Sequence, residues 1–377
     1  MGFSLIRNSI QRVMTQGDVA ESAFSSPSEW VLYACSQVYQ LAARSRIHLY
    51  ENGILEQKSL PCKVVSIGNI TMGGTGKTPM VHYVASLLKG LGLKVAVISR
   101  GYGGYTQRSG GIVSDGKTTF MGLRASGDEP QLLASKLKGI PLLVGKDRYR
   151  AGRRAISRFG ASVLVLDDAF QHLPLKRDLD LLLLDSTRPF GNGYYIPRGT
   201  LREPVEQIKR ASTFVLTRWT EDSNLTRGSS MIEPYVQGRP IFRCMHVPET
   251  LFVPARKKAL DLSSLKGRRL FAFSGIARNE FFRETIAKLE GHVAGFLEFP
   301  DHHRYAHHDL GLIWRRARDL NVDNIITTEK DYVNILTEIP SMPQLFVLAI
   351  SISFGDDTEA FTRYLKSELS SLRSQLE

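Results

Sequence analysis

Cysteine is scarce in this chain, whose 377 residues include only Cys35, Cys62 and Cys244. Three cysteines so far apart fit neither a disulfide framework nor a cysteine-rich metal cluster, and the scarcity favours a reducing compartment. Long apolar runs are also lacking, since none approaches the ~18 residues of a spanning helix. The N-terminus does not show the charged, apolar and small-residue order of a signal peptide. We therefore expect neither a secretory signal nor a membrane-spanning helix.

Acidic residues are outnumbered, with 37 Asp and Glu against 49 Lys and Arg, for a net charge of +12. A basic surplus favours an anionic partner, namely nucleic acid, anionic lipid or a phosphorylated substrate, although a solvated basic surface gives the same total. The chain lacks zinc-finger spacing and basic strands interleaved with aromatic residues, so we expect no nucleic-acid partner. The apolar content of 42% is typical of a globular protein.

The most informative segment is residues 68–78, Gly-Asn-Ile-Thr-Met-Gly-Gly-Thr-Gly-Lys-Thr, between an apolar run and a helix-like run. A strand, a glycine-rich turn, Lys-Thr and a helix form a phosphate-binding loop, in which backbone N–H groups and the helix N-terminus face phosphate oxygens. Lys77 can reach the β- and γ-phosphates, and Thr78 can ligate Mg²⁺. Thr71 stands where the general pattern has glycine. The predicted nucleotide-binding residues are Gly73, Gly74, Thr75, Gly76, Lys77 and Thr78.

From residue 63 onward, short apolar runs alternate with helical stretches. This alternation predicts an α/β fold with a P-loop NTPase-like, mostly parallel sheet domain and a second, smaller α/β domain. The predicted division is an N-terminal segment 1–55 with an amphipathic helix, a nucleotide-binding domain 56–245 and a C-terminal domain 246–377.

Residues 1–25 are polar, and we expect them to be poorly ordered. Ser26, Pro27 and Glu29 then predict a helix start with a capping box, and the helix should end near residues 44–46. Its aromatic-rich apolar face and basic end are typical of a helix in a membrane interface. A helix docked on its own domain shows the same pattern, so the residues leave both alternatives open.

Asp167 and Asp168 end an apolar run that starts at residue 162. An apolar strand that ends in carboxylates can present an acid to Mg²⁺ at the carboxyl edge of a parallel sheet. If both residues are extended, their side chains point to opposite faces. The alternative is a buried strand that ends in a solvated turn, but the upstream phosphate loop favours metal binding.

Two further segments carry candidates for acid–base chemistry. Asp128 precedes a helix, where it would either orient and deprotonate an acceptor hydroxyl or cap the helix. His302 lies among four histidines at 302, 303, 307 and 308, in a loop after a predicted strand. Without nearby cysteine or the spacing of a helical His pair, zinc is disfavoured. One working His that pairs with an Asp is the preferred interpretation.

With these residues assembled, the chain closely resembles the tetraacyldisaccharide 4′-kinases, the lipid A 4′-kinase family. The resemblance extends over about residues 30–332 and includes seven motifs in one order. The motifs are residues 66–79 around the phosphate loop, Ser-Arg-Gly-Tyr-Gly-Gly at 99–104, Gly-Asp-Glu-Pro at 127–130, Asp-Asp-Ala-Phe-Gln-His at 167–172, the 188–204 loop that ends in Leu-Arg-Glu-Pro, Phe-Pro-Asp-His-His at 299–303 and Thr-Thr-Glu-Lys-Asp at 327–331.

The resemblance implies transfer of the γ-phosphate of ATP to the 4′-hydroxyl of an acylated glucosamine disaccharide 1-phosphate. It implies Asp128 as the acceptor base, with His302 setting its basicity, and a phosphate and Mg²⁺ site at Lys77 and Thr78. It places the carboxylates of Asp167 and Asp168 near that Mg²⁺. The implied rim residues are Arg100, Tyr102, His172, Arg202 and Glu203. It also implies that the N-terminal helix contacts the bilayer, peripherally, at the cytoplasmic face of the inner membrane.

Two residues depart from the family pattern. Ala169 stands where the family usually has glycine, which questions the conformation of that turn, and Arg198 stands where it more often has alanine. Two other classes would also use the phosphate loop: an NTP-driven switch or assembly protein, and a basic nucleic-acid-binding ATPase. Neither of these classes needs an acceptor base or a histidine loop in a second domain.

Overall fold

The computed structural model describes residues 26–220, 226–335 and 345–370, so the predicted poorly ordered segment 1–25 lies outside the described residues. The described helices are α1 (Pro27–Glu51), α2 (Lys77–Gly90), α3 (Leu123–Ser126), α4 (Asp128–Lys136), α5 (Arg148–Phe159), α6 (Thr226–Val236), α7 (Asn279–Lys288), α8 (His307–Asp319), α9 (Glu329–Ile335) and α10 (Thr358–Ser370). The described strands are β1 (Lys63–Gly68), β2 (Val95–Ser99), β3 (Gly111–Ser114), β4 (Leu142–Val144), β5 (Val163–Asp167), β6 (Leu179–Asp185), β7 (Thr213–Thr217), β8 (Ile241–Arg243), β9 (Met245–Val253), β10 (Lys258–Leu260), β11 (Arg269–Ser274), β12 (His292–Glu298), β13 (Asn324–Thr328) and β14 (Leu345–Ser353).

The chain divides into two compact units, each discontinuous in sequence. The first comprises Met1–Ser99, Asp147–Met245 and Ser353–Glu377, and the second comprises Arg100–Lys146 and His246–Ile352. The predicted division and the structure both place a boundary after residue 245. The structure, however, groups residues 100–146 with residues 246–352. The division into three contiguous domains stays a prediction.

The sheet of the first unit runs in the order β2-β5-β1-β6-β7-β8, and each adjacent pair is parallel. β5 and β6 are buried along their whole length because the crossover connections of a parallel sheet place helices on its faces. Register pairs Ile67 with Asp167, so β1 and β5 end side by side. The predicted α/β fold with a mostly parallel sheet is confirmed.

The sheet of the second unit runs in the order β10-β9-β14-β13-β11-β12. The β14-β13-β11-β12 portion is parallel, and β10 pairs antiparallel with β9. Its core includes Phe271, Phe273 and Ile313, with α8 packed on the sheet. β3 and β4 add a short antiparallel pair to this unit. A second α/β core, as the sequence predicts, lies beneath the loops that follow β12 and β13.

Helix α1 differs in detail from its prediction. It extends to Glu51, beyond the expected end. Ser26 occupies the N-cap position of α1, but its side chain makes no capping hydrogen bond to the described residues of this helix. Its hydroxyl lies 2.8 Å from that of Ser28. The Glu29 carboxylate lies 3.4 Å from the guanidinium of Arg198. The predicted capping box is therefore wrong, because a buried cation competes for the carboxylate. Within the described ranges, helices long and apolar enough to cross a membrane are absent.

Candidate active site

The phosphate loop lies between the end of β1 at Gly68 and the start of α2 at Lys77. Gly73 and Gly76 have φ angles of 114° and 82°, in the region where a side chain is strained and glycine is not. Gly76 caps α2 at its N-terminus. The loop therefore presents backbone N–H groups at a helix N-terminus, which is the geometry that binds phosphate.

Thr71, where the general pattern has glycine, forms an antiparallel bridge with Leu201. The adjacent Met72 N–H donates to the Thr200 carbonyl at 2.7 Å. A bridge of this kind uses extended backbone, which any residue adopts. Threonine is tolerated at this position because the first part of the loop is strand-like, and the bridge attaches the loop to residues 200–202.

Asn69 organises the loop from inside. It is fully buried, and its Nδ2 donates to the Thr71 carbonyl at 2.6 Å and to Thr75 Oγ1 at 2.9 Å. Its Oδ1 accepts from Lys77 Nζ and from Arg202 Nη1, each at 3.3 Å. Sequence reasoning missed this role, although the residue lies directly at the strand end in the quoted motif.

Asp168 contacts the two cations beside the phosphate loop. Its Oδ1 lies 2.7 Å from Arg202 Nη1 and 3.8 Å from Lys77 Nζ, and Arg202 Nη2 donates to Oδ2 at 3.2 Å. Burial alone would raise the pKa of this carboxyl, but Lys77 and Arg202 outweigh burial and hold its pKa well below the ordinary range. The carboxylate is therefore charged at physiological pH and orients both cations.

The two carboxylates at the end of β5 differ in setting. Asp167 is buried, and its Oδ2 accepts from the Ser99 hydroxyl at 2.8 Å. Asp168 has a φ of 47°, so the condition under which the two side chains would point to opposite faces, that both residues are extended, does not hold. Ala169 is buried and is not among the residues with positive φ. The left-handed position is Asp168, so the turn does not require glycine at 169.

The predicted rim residues of the first unit separate into two groups. Arg202 joins Asp168, whereas Glu203 is buried against the Arg210 guanidinium, and burial raises its pKa. Burial, Arg148 and Arg177 lower the pKa of His172 to about 3, so its ring is neutral at physiological pH. Arg148, which sequence reasoning missed, is buried at the start of α5 and acts electrostatically on both His172 and Asp168. Little in the sequence distinguishes Arg148, because it is one of five arginines in α5.

Arg198 lies in a buried position rather than on an open rim. Its guanidinium lies 3.4 Å from Glu29 Oε2 and stacks over the Tyr194 ring at 4.7 Å. This departure from the family pattern therefore has a partner within the chain, on α1. It joins the 188–204 loop to the N-terminal helix.

Asp128 and His302 meet in the second unit. Asp128 is the first residue of α4, and its Oδ2 lies 2.8 Å from His302 Nδ1. Burial would raise the pKa of Asp128, but the hydrogen bond and charge of His302 and the charge of Lys330 lower it to about 2. The bond to Asp128 raises the pKa of His302. The predicted pairing of an Asp with one working His agrees with this geometry.

The glycine-rich segment 100–104 packs against the start of α4. A Cβ on Gly127 would lie 2.2 Å from the Tyr102 carbonyl, and one on Gly104 would lie 2.3 Å from the Ala125 carbonyl. Only glycine permits these approaches, which fix the backbone that carries Asp128. The Tyr102 ring lies 6.1 Å from the His302 ring, and Arg100 is exposed at the start of this segment.

The 327–331 motif adds a group to this pair that sequence reasoning left without a role. Lys330 Nζ lies 2.8 Å from Asp301 Oδ1 and 3.4 Å from His302 Nε2. The next residue, Asp331, is buried, and its carboxylate accepts from the Tyr305 hydroxyl and the Gly275 N–H, each at 2.9 Å. Asp331 therefore fixes the backbone beside Lys330.

Comparisons with known proteins identify the family of the chain. Among curated relatives, the tetraacyldisaccharide 4′-kinase of Desulfatibacillum aliphaticivorans is 41% identical over 97% of this chain and 99% of its own length. That of Syntrophus aciditrophicus is 43% identical over 82% of this chain and 85% of its own length. A crystal structure of LpxK from Aquifex aeolicus in complex with ATP matches 90% of this chain and 99% of that one, with a TM-score of 0.71 and 30% identity. The family model for tetraacyldisaccharide-1-P 4′-kinase (LpxK) matches residues 28–370. The chain therefore belongs to the tetraacyldisaccharide-1-phosphate 4′-kinase family.

Proposed function

We propose that this chain transfers the γ-phosphate of ATP to the 4′-hydroxyl of an acylated glucosamine disaccharide 1-phosphate. The observation that carries the proposal is the Asp128–His302 contact at 2.8 Å, because a nucleotide-driven switch needs a phosphate loop but no acceptor base. Membership of the kinase family supports the same acceptor.

The first unit supplies the ATP side of the reaction. Backbone N–H groups of residues 73–76 and the N-terminus of α2 bind phosphate oxygens, and Lys77 neutralises the transferring group. Asp168 and Asn69 hold Lys77 in place. The catalytic contribution of this unit is position and positive charge, which a loose phosphoryl transition state needs most.

The second unit supplies the acceptor side. The pKa of Asp128 is held at about 2, so its carboxylate is charged and can accept a hydrogen bond from the 4′-hydroxyl. In a loose transition state the base takes the proton late, after the acceptor oxygen has begun to bond to phosphorus. A weakly basic carboxylate is adequate for this role, and its main contribution is to orient the hydroxyl.

Mg²⁺ fits the oxygen donors at the end of β5. Thr78 at the start of α2 and Asp167 offer a hydroxyl and a carboxylate, both hard oxygen ligands, and Ser99 orients Asp167. Asp168, engaged with Arg202 and Lys77, belongs to the surroundings of the ion. The described residues include no group of three or more His, Cys, Asp or Glu side chains that could hold a metal, which agrees with an ion bound mostly by phosphates and water. When bound, Mg²⁺ supplies charge neutralisation at the β- and γ-phosphates.

The remaining rim residues, Arg100, Tyr102, His172, Arg202 and Glu203, are proposed to line the acceptor and phosphate sites. Cationic groups and neutral donors suit an acceptor that carries a 1-phosphate and sugar hydroxyls. Glu203 acts through Arg210, with which it is paired. Peripheral attachment through α1, at the cytoplasmic face of the inner membrane where ATP is present, completes the proposal.

The test is phosphate transfer from γ-labelled ATP to a tetraacyldisaccharide 1-phosphate in mixed micelles. We expect label in the lipid phase, at a rate that depends on the acceptor concentration. Release of free phosphate alone, unaffected by the acceptor, would instead support a switch or assembly factor. Release stimulated by DNA or RNA and steeply weakened by salt would support a nucleic-acid-binding ATPase.

A further inference from the structure

Lys330 contacts the side of His302 that faces away from Asp128. Its Nζ lies 3.4 Å from His302 Nε2, whereas His302 Nδ1 lies 2.8 Å from Asp128 Oδ2. The imidazole therefore bridges a carboxylate and an ammonium through its two nitrogens. An ammonium group only donates hydrogen bonds, so Nε2 of the neutral ring accepts from Lys330, which lies nearer to it than the Asp301 carboxylate at 3.8 Å. The proton of the neutral ring then lies on Nδ1 and is donated to Asp128.

Asp301 holds both partners of this contact. Its Oδ1 accepts from Lys330 Nζ at 2.8 Å and from the backbone N–H of His302 at 3.1 Å. His302 has a φ of 60°, a conformation that costs free energy for a residue with a side chain. The carboxylate of Asp301 therefore fixes the ammonium and the strained backbone together.

We propose that Lys330, held by Asp301, is a positioning residue that fixes the neutral His302 ring with its proton on Nδ1, directed at Asp128. The proposal rests on the proposed function, in which Asp128 orients the acceptor hydroxyl. A fixed Nδ1–H holds the carboxylate in one orientation and leaves its second oxygen for the acceptor.

The charges around His302 oppose one another: its bond to Asp128 raises the pKa of the ring, and the charge of Lys330 acts against that rise. The groups that face it are Asp128 from α4, Asp301 from its own loop and Lys330 from α9, and the Tyr102 ring packs at its edge. Burial alone would lower the pKa of Lys330, but Asp301 and Glu129 outweigh burial and raise it. Lys330 therefore stays charged, and its charge opposes protonation of the His302 ring.

The direct test is ¹⁵N NMR of the His302 imidazole across pH, in wild type, Lys330→Met and Lys136→Met. We expect the wild-type neutral ring to carry its proton on Nδ1. In Lys330→Met the pKa of the His302 ring should rise because a neighbouring cation is gone. The Nδ1–H form should still be favoured by Asp128 but by less, so the share of neutral ring with its proton on Nε2 should increase. Lys136 is a matched control, since this lysine of the same unit pairs with Glu329 at 2.7 Å and Glu249 at 3.3 Å. A wild-type proton on Nε2, or an unchanged ring in Lys330→Met, would overturn the proposal.

The kinetic test is a double-mutant cycle. Lys330→Met should lower kcat by about 10- to 100-fold, the cost of removing a residue that orients a working imidazole, with the KM for ATP little changed. In a His302→Ala background the same substitution should cost less than ~3-fold, because the residue through which it acts is absent. Lys330→Arg should restore part of the loss. If the effects of the Lys330 and His302 substitutions on kcat were fully additive, the proposal would be overturned. The NMR result does not depend on whether the chain transfers phosphate to this acceptor.

Discussion

Neighbouring side chains decide what each carboxylate in this chain does. Asp167 and Asp168 are adjacent in sequence, yet one accepts from a serine hydroxyl and the other contacts an arginine and a lysine. Asp128 contacts an imidazole from a loop 174 residues away in the chain. The sequence identifies all three as acids that follow a strand or begin a helix, but their partners come from elsewhere in the fold.

Replacement of Asp128 tests its proposed role at the acceptor. Asp128→Asn should lower kcat by about 10²- to 10⁴-fold while ATP binds as before, because the change removes the acceptor base and leaves the phosphate loop intact. The measurements are steady-state rates and an ATP titration by calorimetry. Undiminished turnover would contradict the assignment.

The pH dependence of the reaction tests the role of His302. In wild type the pKa of Asp128 is about 2, so Asp128 should produce no acid limb in the pH range where the protein is folded. His302→Ala removes the hydrogen bond that lowers this pKa, so the pKa of Asp128 should rise toward or beyond 3.8, its ordinary value. An acid limb in kcat/KM should then appear in the variant, with activity lost as pH falls through the raised pKa of Asp128. Profiles of equal shape for the two proteins would contradict the coupling.

At the scale of elements, helix α1 both packs on its own unit and exposes apolar side chains. Tyr39 donates its hydroxyl proton to the Arg202 carbonyl at 3.0 Å, and Ile47 is buried. Four apolar residues, Trp30, Val31, Val38 and Leu41, are exposed, and at 100° per residue they fall within one ~100° arc. The same helix therefore docks on its own unit with one face and presents an apolar stripe with another.

The docked face should depend on the Glu29–Arg198 ion pair. Only 8% and 3% of these side chains are exposed, so Arg198→Ala leaves a carboxylate with its cation removed. We expect the free energy of unfolding to fall by about 3 kcal/mol, measured by urea denaturation. The control is Lys266→Ala, whose pair with Glu290 is 66% and 63% exposed and should contribute less than about 1 kcal/mol. Equal effects of the two substitutions would contradict a structural role for the buried pair.

The exposed stripe of α1 should bind membranes. Val38 and Leu41 are 70% and 68% exposed, and each contributes roughly 1.5–3 kcal/mol when it leaves water. The double substitution to glutamate should reduce sedimentation with anionic vesicles by at least about tenfold. Leu320→Glu, at an exposed leucine of the second unit, should leave sedimentation unchanged. Equal sedimentation of all three proteins would contradict attachment through α1.

At the scale of the whole molecule, the two compact units carry different parts of the proposed reaction. Phosphate-loop residues lie in Met1–Ser99, whereas Asp128 and His302 lie in the second unit. Each unit has its own core, around a parallel sheet in the first unit and a mostly parallel one in the second. The second unit includes residues 100–146 although they follow β2, so its composition depends on long-range packing.

This separation predicts two distinct kinetic phenotypes. Lys77→Ala should weaken ATP binding and turnover together, since it removes the cation that reaches the β- and γ-phosphates. Asp128→Asn should lower turnover alone. ATP affinities and kcat values measured side by side distinguish them, and the same pattern in both variants would show that the two residues do not have separate roles.

The sequence by itself determined the helices, the strands and those candidate residues that short-range patterns identify. The phosphate loop, the alternation that builds an α/β sheet and the acid at the start of α4 all follow from short-range patterns, because they depend on glycine conformation, strand burial and helix termini. Tertiary structure alone decided which distant groups meet. Asn69 with Arg202, Arg198 with Glu29, and Lys330 with His302 are contacts between segments separated in the chain, and local propensity contains no information about such partners. The same physical reason explains why threonine fits at position 71, since its conformation is set by pairing with Leu201.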